Sequence, residues 1–336
     1  MADTAKLRQE NLNMIRRILL GEQGFTKQEI AARTGLSQAT CNTLLNVLAR
    51  HGEVQSEQRR TGSVGRSSAV YRINEAYESF LCLHFELLEG IRRITLYRLS
   101  PLGKILTEAH ACPPLLDADT VTEFLRTSAG PMGNCSRILV GTPSLVDEGR
   151  IRHCDIPELE GVRLQQILEE TFGLPVHMEN DMHYRIFGYY RKELPRDSVI
   201  TLLNFPSHIL PGTATIHRGE FISGFSGLAG MTGFLPFDFD REELLRRLNP
   251  RECLPVIVKS TAALIAIVNP GTMVFTGDLM SQELTDQVYR QCLRHIPPEH
   301  MPQMIFREDI EEYYRWGMYQ RALELNLEDH LRAKEF

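Results

Sequence analysis

Apolar residues recur at helical spacing through the first 50 positions of the chain. The residues that form the apolar stripe of an amphipathic first helix are Leu7, Leu12, Ile15, Leu19 and Leu20. Gly21 and Gly24 follow this stripe and predict its end, because glycine weakens a helix and accepts the backbone conformations of a turn. The pattern therefore predicts one helix followed by a turn.

Two shorter helices follow, and each has a recognisable start. Thr26 precedes KQEIAART, with Glu29 three residues later, which is the spacing of a capping box. Ser37 is a favourable N-cap for the next apolar stripe. Between the two helices, Gly35 suits a left-handed turn, and Leu36 can fill the space between them. These segments together predict a helix-turn-helix.

The pattern changes to alternation after residue 52. EVQSEQRR and AVYRIN alternate, and TGSVGRSS separates them, so residues 53–73 predict a β-hairpin. A helix-turn-helix followed by a hairpin is a winged helix, and we expect it to bind double-stranded DNA; an assembly module is the alternative. Small, amide and basic side chains suit base edges and phosphates. The candidate DNA contacts are Lys27, Gln28, Ser37, Gln38, Ala39, Thr40, Asn42, Thr43, Arg59, Arg60 and Arg66.

Strands and helices alternate from residue 80 onward, which predicts an α/β body. Strand patterns occur in FLCLHFEL, RRITLYRL, KILTEAHA, SRILVGT, PVHMEND, VITLLNF and TATIHRGEF. Helical patterns occur in VTEFLRTSA, RLQQILEETFG and TAALIAIVNP. Asn180 and Asp181 stand at the end of one predicted strand, where α/β proteins usually bind ligands.

Charge supports a division of the 336 residues near position 75. The whole chain carries a net charge of -6, whereas residues 1–75 hold 11 Lys and Arg against 7 Asp and Glu. A basic module is thus joined to an acidic body, as expected for a DNA-contacting domain. The seven Cys are scattered without a C-x-x-C pair, and no apolar run is long enough to span a bilayer. We therefore expect a cytoplasmic protein that has no membrane partner.

The order of these motifs resembles the ROK family of repressors, open reading frames and sugar kinases. The family's glycine-arginine wing resembles GRSSAVYRIN, and its G-x-P-G-x-V-D-x-x-G-x-I loop resembles GTPSLVDEGRI. The segment that ends in its E-N-D motif is similar to LEGVRLQQILEETFGLPVHMEND. Its glycine-rich N-G-x-x-x-G-x-x-G-x-A-G-E-I-G-H motif is similar to HRGEFISGFSGLAGMTGF, and its late N-P-x-x-I-x-x-G-G strand to NPGTMVFTGDL.

The resemblance implies an α/β protein in which an N-terminal winged helix-turn-helix precedes a two-lobed actin-like (ribonuclease H-like) body. The implied ranges are 1–75 for the winged helix, 78–190 and 191–320 for the two lobes, and 321–336 for a C-terminal helix or tail. It also implies a transcription regulator, a repressor in the first instance, that forms a homodimer or tetramer through the body. Such an assembly would bind a pseudo-palindromic operator.

Departures from the family motifs fall on the residues of kinase and metal chemistry. The family's first phosphate turn corresponds to residues 86–90. Its second corresponds to 204–212, where Pro206 and Pro211 remove backbone donors. Phe234 replaces the family's zinc-binding His, and the segment after it contains no Cys. We therefore expect a catalytically inactive body with no metal and no cofactor.

The family's sugar pocket is retained in part. The resemblance places the catalytic base on Asp181, although this carboxylate could serve only to cap the following helix. The sugar-contacting Glu and His correspond to Met231 and Phe234. The candidate contacts for a sugar or sugar-derived effector are Pro143, Ser144, Asn180, Asp181, Gly230, Met231 and Phe234. An active sugar kinase and a regulator without ligand sensing are the alternatives to a sensing regulator.

Overall fold

The computed structural model describes residues 2–21, 23–59, 68–88, 90–193 and 199–332. Within these ranges, no helix is long and apolar enough to cross a membrane.

The N-terminal unit is a winged helix. Its helices and strands are α1 (Ala2–Leu19), β1 (Phe25–Thr26), α2 (Lys27–Thr34), α3 (Gln38–Arg50), β2 (Val54–Arg59) and β3 (Ser68–Ile73). Leu12 and Ile15 of α1 pack with Leu45 and Leu48 of α3 in a core of its own. The wing hairpin β2–β3 is antiparallel, as predicted, and the short β1 adds a third strand beside β3.

Local signals in the sequence account for the helix boundaries of this unit. The Thr26 N–H donates to Glu29 Oε2 at 2.7 Å, and the Glu29 N–H donates to Thr26 Oγ1 at 3.3 Å, which completes the capping box. Gly35 adopts a left-handed φ of 73°. Ser37 Oγ accepts the Thr40 N–H at 3.1 Å. The predicted helix-turn-helix is confirmed.

The first lobe of the body is a five-stranded sheet in the order β10-β7-β4-β5-β6. One face packs on α4 and α5 around Leu83, Ile94, Leu125 and Leu168. The elements, with the small hairpin β8–β9, are β4 (Ser79–Leu88), β5 (Ile91–Leu99), β6 (Ile105–Ala111), α4 (Ala118–Ser128), β7 (Cys135–Thr142), β8 (Leu145–Asp147), β9 (Arg150–Arg152), α5 (Leu164–Phe172) and β10 (Val176–Asn180).

The second lobe repeats this arrangement with the strand order β13-β12-β11-β14-β15. In the first lobe, β4 pairs antiparallel with β5 and parallel with β7. In the second lobe, β11 likewise pairs antiparallel with β12 and parallel with β14. The elements are β11 (Val199–Asn204), β12 (Gly212–His217), β13 (Glu220–Phe221), α7 (Arg241–Arg247), α8 (Cys253–Val268), β14 (Thr272–Thr276), α9 (Gln282–Cys292) and β15 (Gln303–Phe306). The cleft between the lobes is lined by both sheets.

Two helices, α6 (Asp181–Glu193) and α10 (Glu311–Arg332), cross at very close range. A Cβ on Gly188 would lie 1.8 Å from the Tyr313 carbonyl oxygen, and one on Gly317 would lie 1.9 Å from the Tyr184 carbonyl oxygen. Only glycine permits this backbone contact. The expected boundaries at residues 190 and 320 fall inside α6 and α10, so neither is a break in the chain's secondary structure.

Helix α10 joins the first lobe to the winged helix. Its N-terminal half packs on β4 and α6 through Tyr314 and Met318. At its other end, Asn13 of α1 donates from Nδ2 to the Leu327 carbonyl oxygen at 2.8 Å. The winged helix therefore rests on the same helix that closes one face of the first lobe.

Candidate functional site

The first candidate site is the surface formed by the starts of α2 and α3. Gln28, Ser37, Gln38, Ala39 and Thr43 are exposed there, and Lys27, Thr40 and Asn42 are half-buried. The Lys27 ammonium donates to Asn42 Oδ1, which ties α2 to α3. Arg59 ends β2, whereas Arg60 and Arg66 lie outside the described residues. The helical candidates thus lie on α2 and on the start of α3, and the Lys27–Asn42 contact joins the two helices.

A buried ion pair lies on the side of the winged helix that faces the body. The Arg16 guanidinium of α1 donates to both carboxylate oxygens of Glu53 at 2.8 and 2.9 Å, and also to Asn13 Oδ1 at 2.9 Å. Both side chains of the ion pair are only 7% exposed. Bidentate pairing of this kind fixes geometry as well as charge. The contact holds α1 to the start of the wing, next to the Asn13 contact with α10.

The second candidate site is a cavity of about 130 Å³ in the cleft between the lobes. Six of the seven predicted effector contacts line it: Pro143, Ser144, Asn180, Asp181, Met231 and Phe234. Gly230 is not among its lining residues; its carbonyl oxygen accepts the Thr213 hydroxyl beside the cavity. The residues that the resemblance placed together in sequence motifs are therefore close in space.

Asn180, rather than Asp181, caps α6. The Asn180 side chain accepts the Met182 N–H at 2.9 Å and donates to the Ser144 carbonyl oxygen at 2.9 Å. It thereby holds the 142–145 loop against the helix start. Asp181 is the first residue of α6 and makes an ion pair with Arg185 Nε at 3.5 Å. A carboxylate in the first turn stabilises a helix, so the interpretation that Asp181 only supports the start of α6 stays an alternative to ligand contact.

Carboxylates in this cavity are harder to ionise than carboxylates in water. Burial raises the pKa of Asp181, and Glu86 adds to the effect, against the opposing charge of Arg185. Removal from water and the charge of Asp181 raise the pKa of Asp155 to about 6, against the opposing charge of Arg241. With a pKa of about 6, Asp155 is still mainly ionised at neutral pH and can accept hydrogen bonds from hydroxyl groups, and the cationic side chains of Arg185 and Arg241 line the same cavity.

A larger open region of the cleft, about 1520 Å³, adjoins this cavity. Its wall includes the segment that replaces the family's second phosphate turn. There the Ser207 N–H donates to Asp278 Oδ1 at 2.8 Å, and the His208 N–H donates to the Leu248 carbonyl oxygen at 2.9 Å. Phosphate loops bind anions through free backbone N–H groups. Here these amides are already paired, and a carboxylate lies where a phosphate would approach.

Sequence reasoning missed a third group of polar residues, on the floor of the larger region. One ring nitrogen of His84 and one carboxylate oxygen from each of Glu86 and Glu311 lie within 4.8 Å of one another. His84 and Glu86 are on β4, and Glu311 begins α10. More than 200 residues separate the two strand residues from Glu311, and no spacing rule connects them.

No protein-family model matches the sequence. The xylose repressor of Caldicellulosiruptor bescii is 20% identical over 259 residues, which are 71% of this chain and 61% of that relative. The chain thus spans less than two thirds of that relative's length. A solved ROK-family transcriptional regulator, described as a homologue of the E. coli MLC protein, superimposes with a TM-score of 0.69 at 14% identity. That match covers 96% of this chain and all of the other.

The chain has the ROK fold. A ROK hexokinase from Thermus thermophilus also superimposes, with a TM-score of 0.56 and 18% identity, but it covers only 74% of this chain and 99% of its own. The kinase therefore matches the share of the chain expected for the two-lobed body, whereas the regulator matches almost the entire chain. The predicted fold class, a winged helix followed by a two-lobed ROK body, is confirmed.

Proposed function

We propose that this protein is a DNA-binding transcription regulator, and specifically a repressor. The observation that carries the proposal is the exposed polar start of α3 on a winged helix that contacts a ROK-type body through α1 and α10. Helix-turn-helix proteins place this part of the recognition helix in the major groove. The similarity to a protein named xylose repressor and to a ROK-family transcriptional regulator supports the same function.

Gln38 and Thr43 are the side chains that we expect to contact base edges, because both are exposed on the recognition helix. An amide can form two hydrogen bonds with adenine, and a threonine offers a hydroxyl and a methyl group. Arg59, Arg60 and Arg66 are proposed as phosphate or minor-groove contacts of the wing. We further propose a homodimer or tetramer, which would place two winged helices on a pseudo-palindrome.

The route from the cleft to the DNA-binding unit runs along α10. Arg185, the ion-pair partner of Asp181, stacks over the Tyr314 ring of α10 at 4.7 Å. Thirteen residues further along α10, the Leu327 carbonyl oxygen accepts the hydrogen bond from Asn13 of α1. We propose that a sugar or sugar derivative bound beside Asp181 shifts α10, and so changes the placement of the winged helix. An effector acts in this way only if it binds one placement more tightly.

We propose that the body does not transfer phosphate. The runner-up function, a sugar kinase with Asp181 as the base, requires a loop that binds the transferred phosphoryl group. The described segment 204–212 does not provide such a loop, because the amides of Ser207 and His208 are already paired and the Asp278 carboxylate would repel a phosphate. Incubation with ATP and a hexose panel tests the point directly. Product formation that Asp181→Asn abolishes would establish the kinase instead.

Operator binding is the main test. The full chain is titrated against labelled DNA from upstream of its own gene, in fluorescence anisotropy at two salt concentrations. We expect Gln38→Ala to weaken specific binding by about tenfold, because tenfold is about 1.4 kcal/mol and a base contact contributes about 1–3 kcal/mol. Asn46→Ala, exposed further along α3, is the matched control and is expected to leave affinity within about twofold. Absence of sequence-specific binding at low salt would refute the proposal.

Effector binding is tested separately by thermal shift with sugars and sugar phosphates. A ligand that binds only the folded protein raises the melting temperature in a saturable way. We expect such a rise with a ligand of the cleft and its loss in Asp181→Asn. A regulator whose body serves only assembly would bind operator DNA normally and show no shift with any compound.

A further inference from the structure

We propose that His84, Glu86 and Glu311 form a binding site for one divalent first-row transition metal ion, such as Mn²⁺ or Zn²⁺. One donor atom from each residue lies within 4.8 Å of the other two. Ligands that coordinate a metal at about 2.1 Å are about 3–4 Å apart. Side-chain rotations that bring these donors about 1 Å closer would therefore complete three coordination positions.

The burial of His84 is a second observation that points to a ligand. Its side chain is 2% exposed, yet neither ring nitrogen forms a hydrogen bond with any residue in the described ranges. The ring is held between Tyr97, stacked at 6.0 Å, and Tyr314, edge-on at 4.6 Å. Nε2 is 3.3 Å from Glu311 Oε1. A buried polar group without a hydrogen bond is costly, and coordination of a metal ion would satisfy Nε2, the ring nitrogen on the Glu311 side.

The local charges favour a cation. Among the described ion pairs, Arg185 is the only Lys or Arg that contacts Glu86, at 3.5 Å, and it shares its charge with Asp181, also at 3.5 Å. Arg185 can keep Asp181 as its partner when Glu86 turns toward a metal ion. The site faces the larger region of the cleft, which all three ligands line, so water can fill the remaining coordination positions.

The donor set selects the class of metal. One imidazole nitrogen and two carboxylate oxygens with open positions suit Mn²⁺, Fe²⁺ or Zn²⁺, whereas Mg²⁺ and Ca²⁺ favour oxygen ligands alone. This site contains no cysteine, and its three ligands do not overlap with Phe234 or the segment after it. Because Glu311 begins α10, a bound ion would join β4 directly to the helix that carries the winged helix.

The test is calorimetric titration of the metal-free full chain with Mn²⁺ and then Zn²⁺, in a Cys112→Ser background because the Cys112 thiol is exposed. We expect one ion per chain and resistance to excess Mg²⁺. His84→Gln should weaken binding by at least about tenfold, as should Glu86→Gln. His110→Gln and Glu308→Gln, exposed residues that line the same region, are the matched controls and should stay within about twofold.

Anomalous diffraction from Mn²⁺-soaked crystals locates the ion, with a peak between His84 and Glu311 as the expected result. If His84→Gln proves unstable by its melting temperature, Glu86→Gln decides the matter, because Glu86 is partly exposed. The proposal would be overturned if the protein showed no saturable metal binding, or if binding were unchanged in both His84→Gln and Glu86→Gln. These measurements use no DNA, so their outcome is independent of the proposed regulatory function.

Discussion

Replacement of Gly317 by Ala tests the close crossing of α6 and α10. Gly317 lies inside a helix, where Ala is normally preferred by about 1 kcal/mol. The structure predicts the opposite sign, because the new Cβ would lie 1.9 Å from the Tyr184 carbonyl oxygen and 2.9 Å from the Gly188 nitrogen. Real Cβ contacts essentially never fall below 3.0 Å. The two helices would have to separate by about 1 Å, with part of their packing lost.

Overpacking of a well-packed interface costs about 1–3 kcal/mol, and here the obstacle is backbone that cannot rotate away. We therefore expect Gly317→Ala to lower the free energy of unfolding by about 2 kcal/mol even after the gain in helix propensity. Trp316, the only tryptophan of the chain, is the adjacent residue. Its fluorescence during urea unfolding reports directly on this helix.

Gly133→Ala is the matched control for this substitution. A Cβ at Gly133 meets no atom within 4 Å, and its backbone is not left-handed. We expect this variant to be neutral or slightly stabilised. A urea midpoint for Gly317→Ala at or above that of the unmodified protein would refute the packing argument.

Three further predictions concern buried polar groups. Arg16→Met should destabilise the winged helix by about 3–5 kcal/mol in urea unfolding, because Glu53 stays buried without its partner, and adding Glu53→Leu should restore much of the loss. Burial and Arg321 lower the pKa of His177 to about 4. The unfolded chain therefore takes up a proton first as pH falls from about 6.5 to 4, and stability should drop by up to about 3 kcal/mol. That pH dependence should be smaller in His177→Phe. Asn180→Ala should cost about 1–2 kcal/mol in thermal unfolding, because it removes both the cap of α6 and the bond to the Ser144 carbonyl.

Local features of the fold could be predicted from the sequence where the physical cause is local. The capping box of Thr26 and Glu29 and the left-handed Gly35 depend only on neighbouring residues, and all three appear as expected. The grouping of the cavity residues could be predicted in part from motif order, because Pro143 and Ser144 follow β7 and Asn180 ends β10, whereas Met231 and Phe234 lie in the segment after β13. Gly230 departs from this pattern by lying beside the cavity rather than lining it.

Features that depend on distant residues could not be predicted in this way. Phe25 and Thr26 form a strand only because β3 is available to pair with them. Neither Gly188 nor Gly317 carries any signal that they contact across 129 positions of sequence. Likewise, His84 belongs to an ordinary strand pattern until the fold places Glu311 beside it. In each case the feature depends on a tertiary interaction, which local sequence propensity does not predict.

The position of α10 late in the chain has a consequence for the order of folding during synthesis. Phe80, Leu99 and Tyr184 lie in a core that α10 completes, more than 100 residues after α6 emerges. Until then, one face of the first lobe exposes apolar surface, and Asn13 lacks its partner Leu327. Domains of large proteins commonly fold in order of synthesis. The first lobe, however, completes its core only after α10 has been synthesised, near the end of the chain. A fragment that ends near residue 190 should therefore aggregate, and it should not serve as an independent DNA-binding protein.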